Sequence, residues 1–200
     1  YAKPHIRSTT AATYENVIEQ HIIPKIGMVK IRQLTSIQIQ RMYNEAKTNG
    51  RIQRFKNPQP PELSNSYVRR IHMVLRAALQ QAVDERLIPY NPCENCRIPP
   101  KEKKEMKVIP PEQIGAYLRE AESYGVLPMF YLELTSGLRR GELMALLWED
   151  LDVENRILSV SKQVVRVNGD LEVTEPKTQN SIRKVALPQQ TVNLLIQEHE

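Results

Sequence analysis

The spacing of apolar residues changes once along this chain of 200 residues, and the change limits the folds open to it. Before Trp148, apolar side chains recur at every third or fourth residue, the period of an α-helix with one buried face. After Trp148 they fall in short β-branched runs separated by turn residues, which is typical of strands. The pattern predicts a mainly α-helical chain with a small antiparallel β-sheet near its C-terminal end.

The first half of the chain is predicted to form a helical bundle. Apolar residues mark a first helix at 14–22, with Pro24 and Gly27 ending it. A second helix begins at the capping box of 35–38, and a third runs from 64 or 66 to about 86. The predicted buried stripe of this long helix consists of Val68, Ile71, Leu75, Ala78, Leu79 and Ala82.

The second half opens with a charged, proline-bearing segment, IPPKEKKEMK at 98–107, that contains almost no core residues. It is predicted to be a linker between domains at 1–97 and 108–200. Helices are predicted at 110–124, 128–135, 140–147 and 189–198. Three strands are predicted, one in each of the ranges 157–165, 171–174 and 182–187. Asn168–Gly169 is predicted to form the turn between the first two.

Charge is distributed unevenly between the two halves. Residues 1–100 contain 15 basic and 7 acidic residues, whereas residues 101–200 contain 13 basic and 16 acidic residues. A half with this excess of basic residues favours a polyanionic partner, such as nucleic acid. Basic surfaces also keep proteins soluble, so charge alone leaves both interpretations open.

The long helix carries the basic residues best placed to bind DNA. On a helical wheel, Arg69, His72 and Arg76 fall opposite the apolar stripe, with Arg70 to one side. We expect these residues to lie near or in a major groove and to contact mainly phosphates. For His72, a plain surface position is an equally good interpretation.

Several classes of protein are excluded. The two cysteines, Cys93 and Cys96, are too few for a disulfide framework, and they indicate a reducing compartment, so a cytoplasmic location is expected. Their spacing is that of half a zinc site, but no second pair or nearby histidine completes it, so two incidental thiols and no metal are predicted. The chain has no apolar run long enough to span a membrane and no secretory signal at its start.

Two positions could carry phosphate chemistry. Arg139 stands where one predicted helix ends and another begins, and its planar guanidinium suits two phosphate oxygens. Glu142, one helical turn further on, could hold it from behind. Lys177 enters a turn between two predicted strands, from which it could reach a site and donate a proton. Taken by spacing alone, an exposed turn and an exposed hairpin lysine are the commoner outcomes.

Several strings resemble the tyrosine recombinases, the phage and transposon integrases. TSGLRRGELMALLWEDLD at 135–152 resembles the first arginine box of the family, and EPKTQNSIRKVALP at 175–188 resembles its catalytic β-hairpin. In the first half, TYENVIEQHIIPKIG, LTSIQIQRMYNE and SYVRRIHMVLRAALQQAVDERLIPYNPC resemble the core-binding domain of integrases from conjugative transposons and Gram-positive phages. The resemblance covers nearly the whole chain, with its boxes in the family's order.

This resemblance implies a fold and a reaction. The fold would be an N-terminal SAM-like helical bundle at 1–97, followed at 108–200 by the front part of an α+β catalytic domain. Arg139 would stabilise charge on the phosphorane, Lys177 would be the general acid, and Glu142 would support Arg139. A tyrosine hydroxyl would attack a DNA phosphodiester to give a 3′-phosphotyrosyl intermediate. No cofactor is implied, and the partners would be double-stranded attachment sites and, for the longer protein, a tetramer on DNA.

The chain departs from the family in its second half. The family's second arginine box and nucleophilic tyrosine follow the hairpin, whereas all eight tyrosines here precede Arg139. The expectation is therefore a truncated recombinase that is inactive alone. The alternative is a non-catalytic DNA-binding module that acts by occupying sites.

Overall fold

The N-terminal helix continues past the proline that was expected to end it. The computed structural model describes residues 3–53, 56–102, 105–176 and 181–199. Helix α1 (Ser8–Val17) leads through one π-helical turn into α2 (Ile23–Ile26), which ends at Gly27. A proline lacks the N–H of a regular helical bond, and the wider turn before Pro24 accommodates that loss. The prediction was therefore right at Gly27 and wrong at Pro24.

Helix α3 (Ser36–Asn49) begins at the predicted capping box. The Thr35 amide donates to Gln38 Oε1 over 2.9 Å, and the Gln38 amide donates back to Thr35 Oγ1 over 3.4 Å. Two amides that the helix leaves without partners are satisfied in this way. The side chains of α3 that are buried in the core are Ile39, Met42, Tyr43 and Ala46.

Helix α4 (Asn65–Asp84) is capped by Ser64, whose Oγ accepts from the Tyr67 amide. Its apolar stripe is buried as predicted, with one correction. Ala78 is exposed, and Val74 is buried in the stripe instead. The chain then turns back as the segment 91–99, hereafter the return segment. It is held to α3 by Ser36 Oγ, which donates to Pro92 O over 2.7 Å.

The second part of the chain combines helices with two small antiparallel sheets. Its helices are α5 (Pro111–Ser123), α6 (Leu127–Ser136), α7 (Arg140–Leu143) and α8 (Gln189–His199). Its strands are β1 (Leu151–Asp152), β2 (Ile157–Val160), β3 (Gln163–Val167), β4 (Asp170–Thr174) and β5 (Arg183–Ala186). Short 3₁₀ turns occur at Lys3–His5, Ile31–Gln33 and Trp148–Asp150. One sheet has the order β1-β2-β5, and β3 pairs with β4 in the other.

The strand pairing corrects the sequence-based expectation of three strands. The run at 157–165 is divided into β2 and β3, and β5 returns to pair with β2 rather than with the hairpin. In β2, Leu158 and Val160 are both buried, so this strand belongs to the core. The hairpin turn at Asn168–Gly169 is confirmed, with φ values of 51° and 105°. The helix predicted at 140–147 is only the single turn of α7.

The chain divides into two compact units, Tyr1–Glu105 and Met106–Glu200. The core of the first is built mainly from α3 and α4, and the core of the second is built from six buried residues: Leu132, Leu138, Leu158, Val160, Leu187 and Val192. The chain is thus mainly helical with a small antiparallel β component, as predicted. Within the described residues, none of the helices has the length and apolar character needed to cross a membrane.

Truncation of a core side chain on α4 tests this packing. Ile71 is fully buried, so Ile71→Ala should lower the free energy of unfolding by about 2–5 kcal/mol, since it leaves a cavity. Met73, two residues away, is 49% exposed, and Met73→Ala should change the free energy of unfolding by less than about 0.5 kcal/mol. Urea unfolding followed by circular dichroism measures both, and equal effects would contradict the described core.

Candidate functional site

Arg139 is held at a fixed point between α6 and α7. Helix α6 ends at Gly137, whose φ of 62° lies in the left-handed region that favours glycine. The next side chain, Leu138, is only 5% exposed and belongs to the core of the second unit. Arg139 then caps the first turn of α7. A buried residue on one side and a helix on the other therefore fix its backbone.

The carboxylate of Glu142 is the centre of the site. Glu142 is 2% exposed, and Arg139 approaches it twice. The Arg139 backbone amide donates to Oε2 over 3.0 Å, and its guanidinium donates to Oε1 over 2.8 Å. The Arg139 side chain is nevertheless 72% exposed, so most of its guanidinium faces solvent.

A second arginine completes this cluster. Arg183, the first residue of β5, donates through Nη1 to Oε1 over 3.2 Å and through Nη2 to Oε2 over 2.9 Å. Sequence reasoning missed this residue. A signal was available, because Arg183 alternates with Val185 and Leu187, and a period of two places all three on the inner face of a strand.

The two arginines keep the buried carboxylate charged. The bonds from Arg183, and after them those from Arg139, outweigh the effect of burial and lower the pKa of Glu142 from 4.5 to about 2. The same carboxylate raises the pKa of Arg183 above its ordinary value. Two guanidinium groups share one carboxylate, so the cluster has a net charge of +1.

The approach of α7 to β3 depends on Gly141. A Cβ atom at this position would lie 2.7 Å from the carbonyl oxygen of Val164, closer than atoms of a folded protein pack. Only glycine therefore lets the first turn of α7 rest on the strand. This contact therefore fixes the distance between β3 and the turn that carries Arg139 and Glu142.

Lys177, the other predicted catalytic residue, lies outside the described residues. The described chain runs to Pro176 and resumes at Ser181, with β4 and β5 on either side. The expectation that Lys177 shares a cavity with Arg139 stays a prediction.

The predicted DNA-binding residues of α4 do not form one open face. Arg69 donates to the Pro99 carbonyl over 2.9 Å, and Arg76 pairs with Glu94 over 2.7 Å, so both contact the return segment. Arg70 is exposed, and its guanidinium carbon lies 5.7 Å from the centre of the Tyr67 ring. The helical wheel placed Arg69 and Arg76 opposite the core stripe but could not show that the chain returns across them.

His72 belongs to a half-buried polar contact rather than to an exposed basic face. Its Nδ1 lies 3.1 Å from the hydroxyl of Tyr43. Burial, together with the positive charges of Arg76 and Arg69, lowers the pKa of His72. The imidazole is therefore uncharged at neutral pH, and it is a weaker partner for phosphate than the sequence suggested.

The two thiols also lie against this contact. Cys93 is buried with its Sγ 3.7 Å from the Tyr43 hydroxyl, and the thiol of Cys96 donates to Ser36 O over 3.5 Å. Burial raises the pKa of Cys93 to about 11 and also raises that of Cys96. Both thiols are therefore protonated at neutral pH, and protonated thiols are poor nucleophiles.

The pH dependence of stability tests the cluster around Glu142. Its pKa is lower in the folded chain, so its contribution is complete above pH 4.5 and is lost as the pH falls towards 2. Glu142→Gln should lower the free energy of unfolding by about 3 kcal/mol at pH 7, because it breaks a buried pair. This difference should shrink as the pH falls from 4.5 to 2 in urea unfolding experiments.

Glu154→Gln is a suitable control, because Glu154 is an exposed glutamate of the same unit and has no bond to Arg139 or Arg183 among the described contacts. A Glu142→Gln difference that stays constant between pH 6 and pH 2 would contradict the assigned bonds.

Comparison with known sequences identifies related proteins. Residues 1–46 match the family model described as phage integrase, N-terminal SAM-like domain. The ICEBs1 integrase of Bacillus subtilis is 35% identical over 135 residues, which cover 66% of this chain and 37% of the relative. A XerC-like tyrosine recombinase of Caldanaerobacter subterraneus subsp. tengcongensis is 31% identical over 201 residues, covering 93% of this chain and 47% of the relative. The chain thus spans less than half the length of either relative.

Solved structures show the same fold. The Tn1549 transposon integrase in complex with a circular intermediate DNA matches with a TM-score of 0.79 at 20% identity, over 98% of this chain and 60% of that one. A lambda integrase dimer bound to a core site matches with a TM-score of 0.64 at 19% identity, over 87% of this chain and 55% of that one. These structures show the fold, and the sequence similarity to the XerC-like recombinase extends over 93% of the chain, so the chain belongs to the tyrosine recombinase, or phage integrase, family.

Proposed function

We propose that this chain is part of a site-specific DNA recombinase and supplies its DNA-binding bundle and the first part of its active site. The observation that carries the proposal is the exposed Arg139 guanidinium held by a buried carboxylate. Residues 1–97 would be the core-binding domain, 98–107 the linker and 108–200 the front part of the catalytic domain. The partner would be a double-stranded attachment site, and the recombinase would act as a tetramer on DNA in the cytoplasm.

Arg139 suits the role of a phosphate-binding group. Its backbone is fixed by the capping position of α7, and Glu142 accepts one bond from its guanidinium. The remaining N–H groups face solvent, and a guanidinium can donate two parallel bonds to phosphate oxygens. A preorganised cation stabilises the charge that develops on a phosphorane more strongly than one that water must reorganise around.

Lys177 is proposed as the general acid of the same reaction. In strand cleavage, the attacking tyrosine oxygen bonds to phosphorus while the bond from phosphorus to the 5′ oxygen breaks. The leaving oxygen then needs a proton, and an ammonium at the β4–β5 connection would supply it. In the recombinase family the nucleophilic tyrosine follows the hairpin, whereas every tyrosine of these 200 residues precedes Arg139, so the nucleophile is proposed to be a tyrosine outside them.

Binding of DNA should be dominated by phosphate contacts. Affinity for a duplex should fall by roughly 10³-fold between 50 and 200 mM salt, because bound basic side chains release counterions. Arg70 is the cleanest residue to replace, since it is exposed whereas Arg69 and Arg76 also hold the return segment. Arg70→Ala should weaken binding and reduce the salt slope by about one in fluorescence anisotropy titrations.

Arg119→Ala is the matched control, because it removes an exposed arginine from the more acidic half. If Arg70→Ala and Arg119→Ala bind DNA with equal affinity, Arg70 is not part of the DNA interface. An affinity independent of salt would contradict phosphate-dominated binding altogether.

Covalent cleavage separates a recombinase from a module that only occupies sites. On a nicked suicide substrate, the 200 residues alone should bind and form no covalent adduct, because no tyrosine follows Arg139. The complete product of the reading frame should form a 3′-phosphotyrosyl adduct, visible as a band shift in a denaturing gel. Arg139→Ala should slow this step by about 10²–10³-fold, and Arg119→Ala should not. A complete product that binds DNA but never forms an adduct would favour the non-catalytic alternative.

A further inference from the structure

The carboxylate of Glu142 is shared by two arginines in different ways. Arg183 donates one N–H group to each oxygen, which is the bidentate geometry that guanidinium and carboxylate groups favour. Arg139 gives the carboxylate its backbone amide and a single side-chain bond. The main ionic partner of Glu142 is therefore Arg183, although Arg139 is the nearer residue in sequence.

Exposure assigns the free charge to one of the two arginines. Without Arg183, Glu142 and Arg139 would form a neutral pair, and an incoming phosphate would meet a compensated guanidinium. With Arg183 present, the cluster is positive by one charge. The Arg139 side chain is 72% exposed and that of Arg183 is 30% exposed, so the uncompensated charge is presented by Arg139.

We infer that Arg183 is a positioning residue for Arg139: by occupying the Glu142 carboxylate, it orients the Arg139 guanidinium and leaves its positive charge available to a DNA phosphate. This role rests on the proposed recombinase function. Arg183 need not contact DNA, since it acts through the buried carboxylate.

The location of Arg183 adds a mechanical connection to the electrostatic one. Its Nη1 also donates to the Ser181 carbonyl over 3.2 Å, directly before β5 begins. β5 is paired to the buried strand β2, in which Val160 lies opposite Arg183. The Arg183 guanidinium thus extends from the core sheet and bonds both to Ser181 and to Glu142 of α7. These bonds fix the position of the Glu142 carboxylate, which in turn restricts the position of Arg139.

Substitution at 183 tests the inference in two assays. Arg183→Met keeps most of the side-chain volume and removes the charge, whereas Arg183→Lys keeps the charge but cannot form the bidentate pair with Glu142. Lys184→Met is the matched control, because Lys184 is the exposed neighbour on β5 and has no bond to Glu142 among the described contacts.

The first assay needs only these 200 residues. Titration of the Glu142 side-chain carboxyl, followed by carbon-detected NMR, should place its pKa near 2 in the wild type. Arg183→Met should move the pKa up towards its ordinary range, because the largest stabilising partner of the carboxylate is removed. Lys184→Met should leave it in place. An unchanged pKa in Arg183→Met would show that Glu142 does not depend on Arg183.

The second assay measures single-turnover cleavage by the complete product of the reading frame. Arg183→Met should slow cleavage by about 100-fold through loss of alignment, while its DNA affinity stays close to that of the wild type. Arg183→Lys should restore part of the rate, and Lys184→Met should cleave like the wild type. The acidic limb of the pH–rate profile should move to higher pH in Arg183→Met, and by less in Arg183→Lys, because Glu142 is then protonated at a higher pH. It should not move in Lys184→Met.

The outcomes distinguish this inference from the function on which it rests. A wild-type protein that never cleaves DNA overturns the proposed function, while the NMR titration still tests the link between Arg183 and Glu142. A wild-type protein that cleaves, with Arg183→Met at the same rate, overturns the inference alone. If Arg183→Met fails to fold, Arg183→Lys decides: a wild-type rate and pH profile contradict the role, and a slower rate with a shifted profile supports it.

Discussion

Among the described residues of the second unit, Glu142 is the one buried acidic side chain, and the unit is organised around its negative charge. A carboxylate removed from water is strongly unfavourable unless hydrogen bonds and opposite charge compensate it. Glu142 receives four donors, two from Arg139 and two from Arg183. Because these donors come from the residue that caps α7 and from β5, the helical and β parts of the unit must meet at this point to compensate the buried charge.

Close backbone packing makes that meeting possible. The turn of α7 that carries Glu142 rests on β3 at Gly141, where any side chain would meet the Val164 carbonyl. Leu138, directly before Arg139, is anchored in the core. Three contacts therefore hold the exposed Arg139 in place: the core packing of Leu138, the close backbone contact at Gly141 and the salt bridge to Glu142. Rigid support of this kind keeps a charged group aligned without water having to reorganise.

The first unit uses its basic side chains in a different way. Arg69 and Arg76 form polar contacts with the return segment, and half-buried His72 contacts Tyr43. Part of the positive charge of this half therefore stabilises the bundle itself. Arg70, exposed beside the Tyr67 ring, keeps its charge in solvent. Net charge alone does not distinguish these two uses, because the same residue types serve both.

The sequence by itself determined most of the helices, the capping box at Thr35 and the hairpin turn at Asn168–Gly169, because each depends on residues within a few positions of one another. It did not predict that the helix continues past Pro24 or that α7 is a single turn. It also indicated Arg139 and Glu142 as partners, since they lie within one helical turn. Only the tertiary structure decided that β5 pairs with β2 and brings Arg183, 41 residues from Glu142, onto the same carboxylate. The physical reason is that strand pairing and the burial of a charge are satisfied by partners from any part of the chain, and local spacing does not specify which.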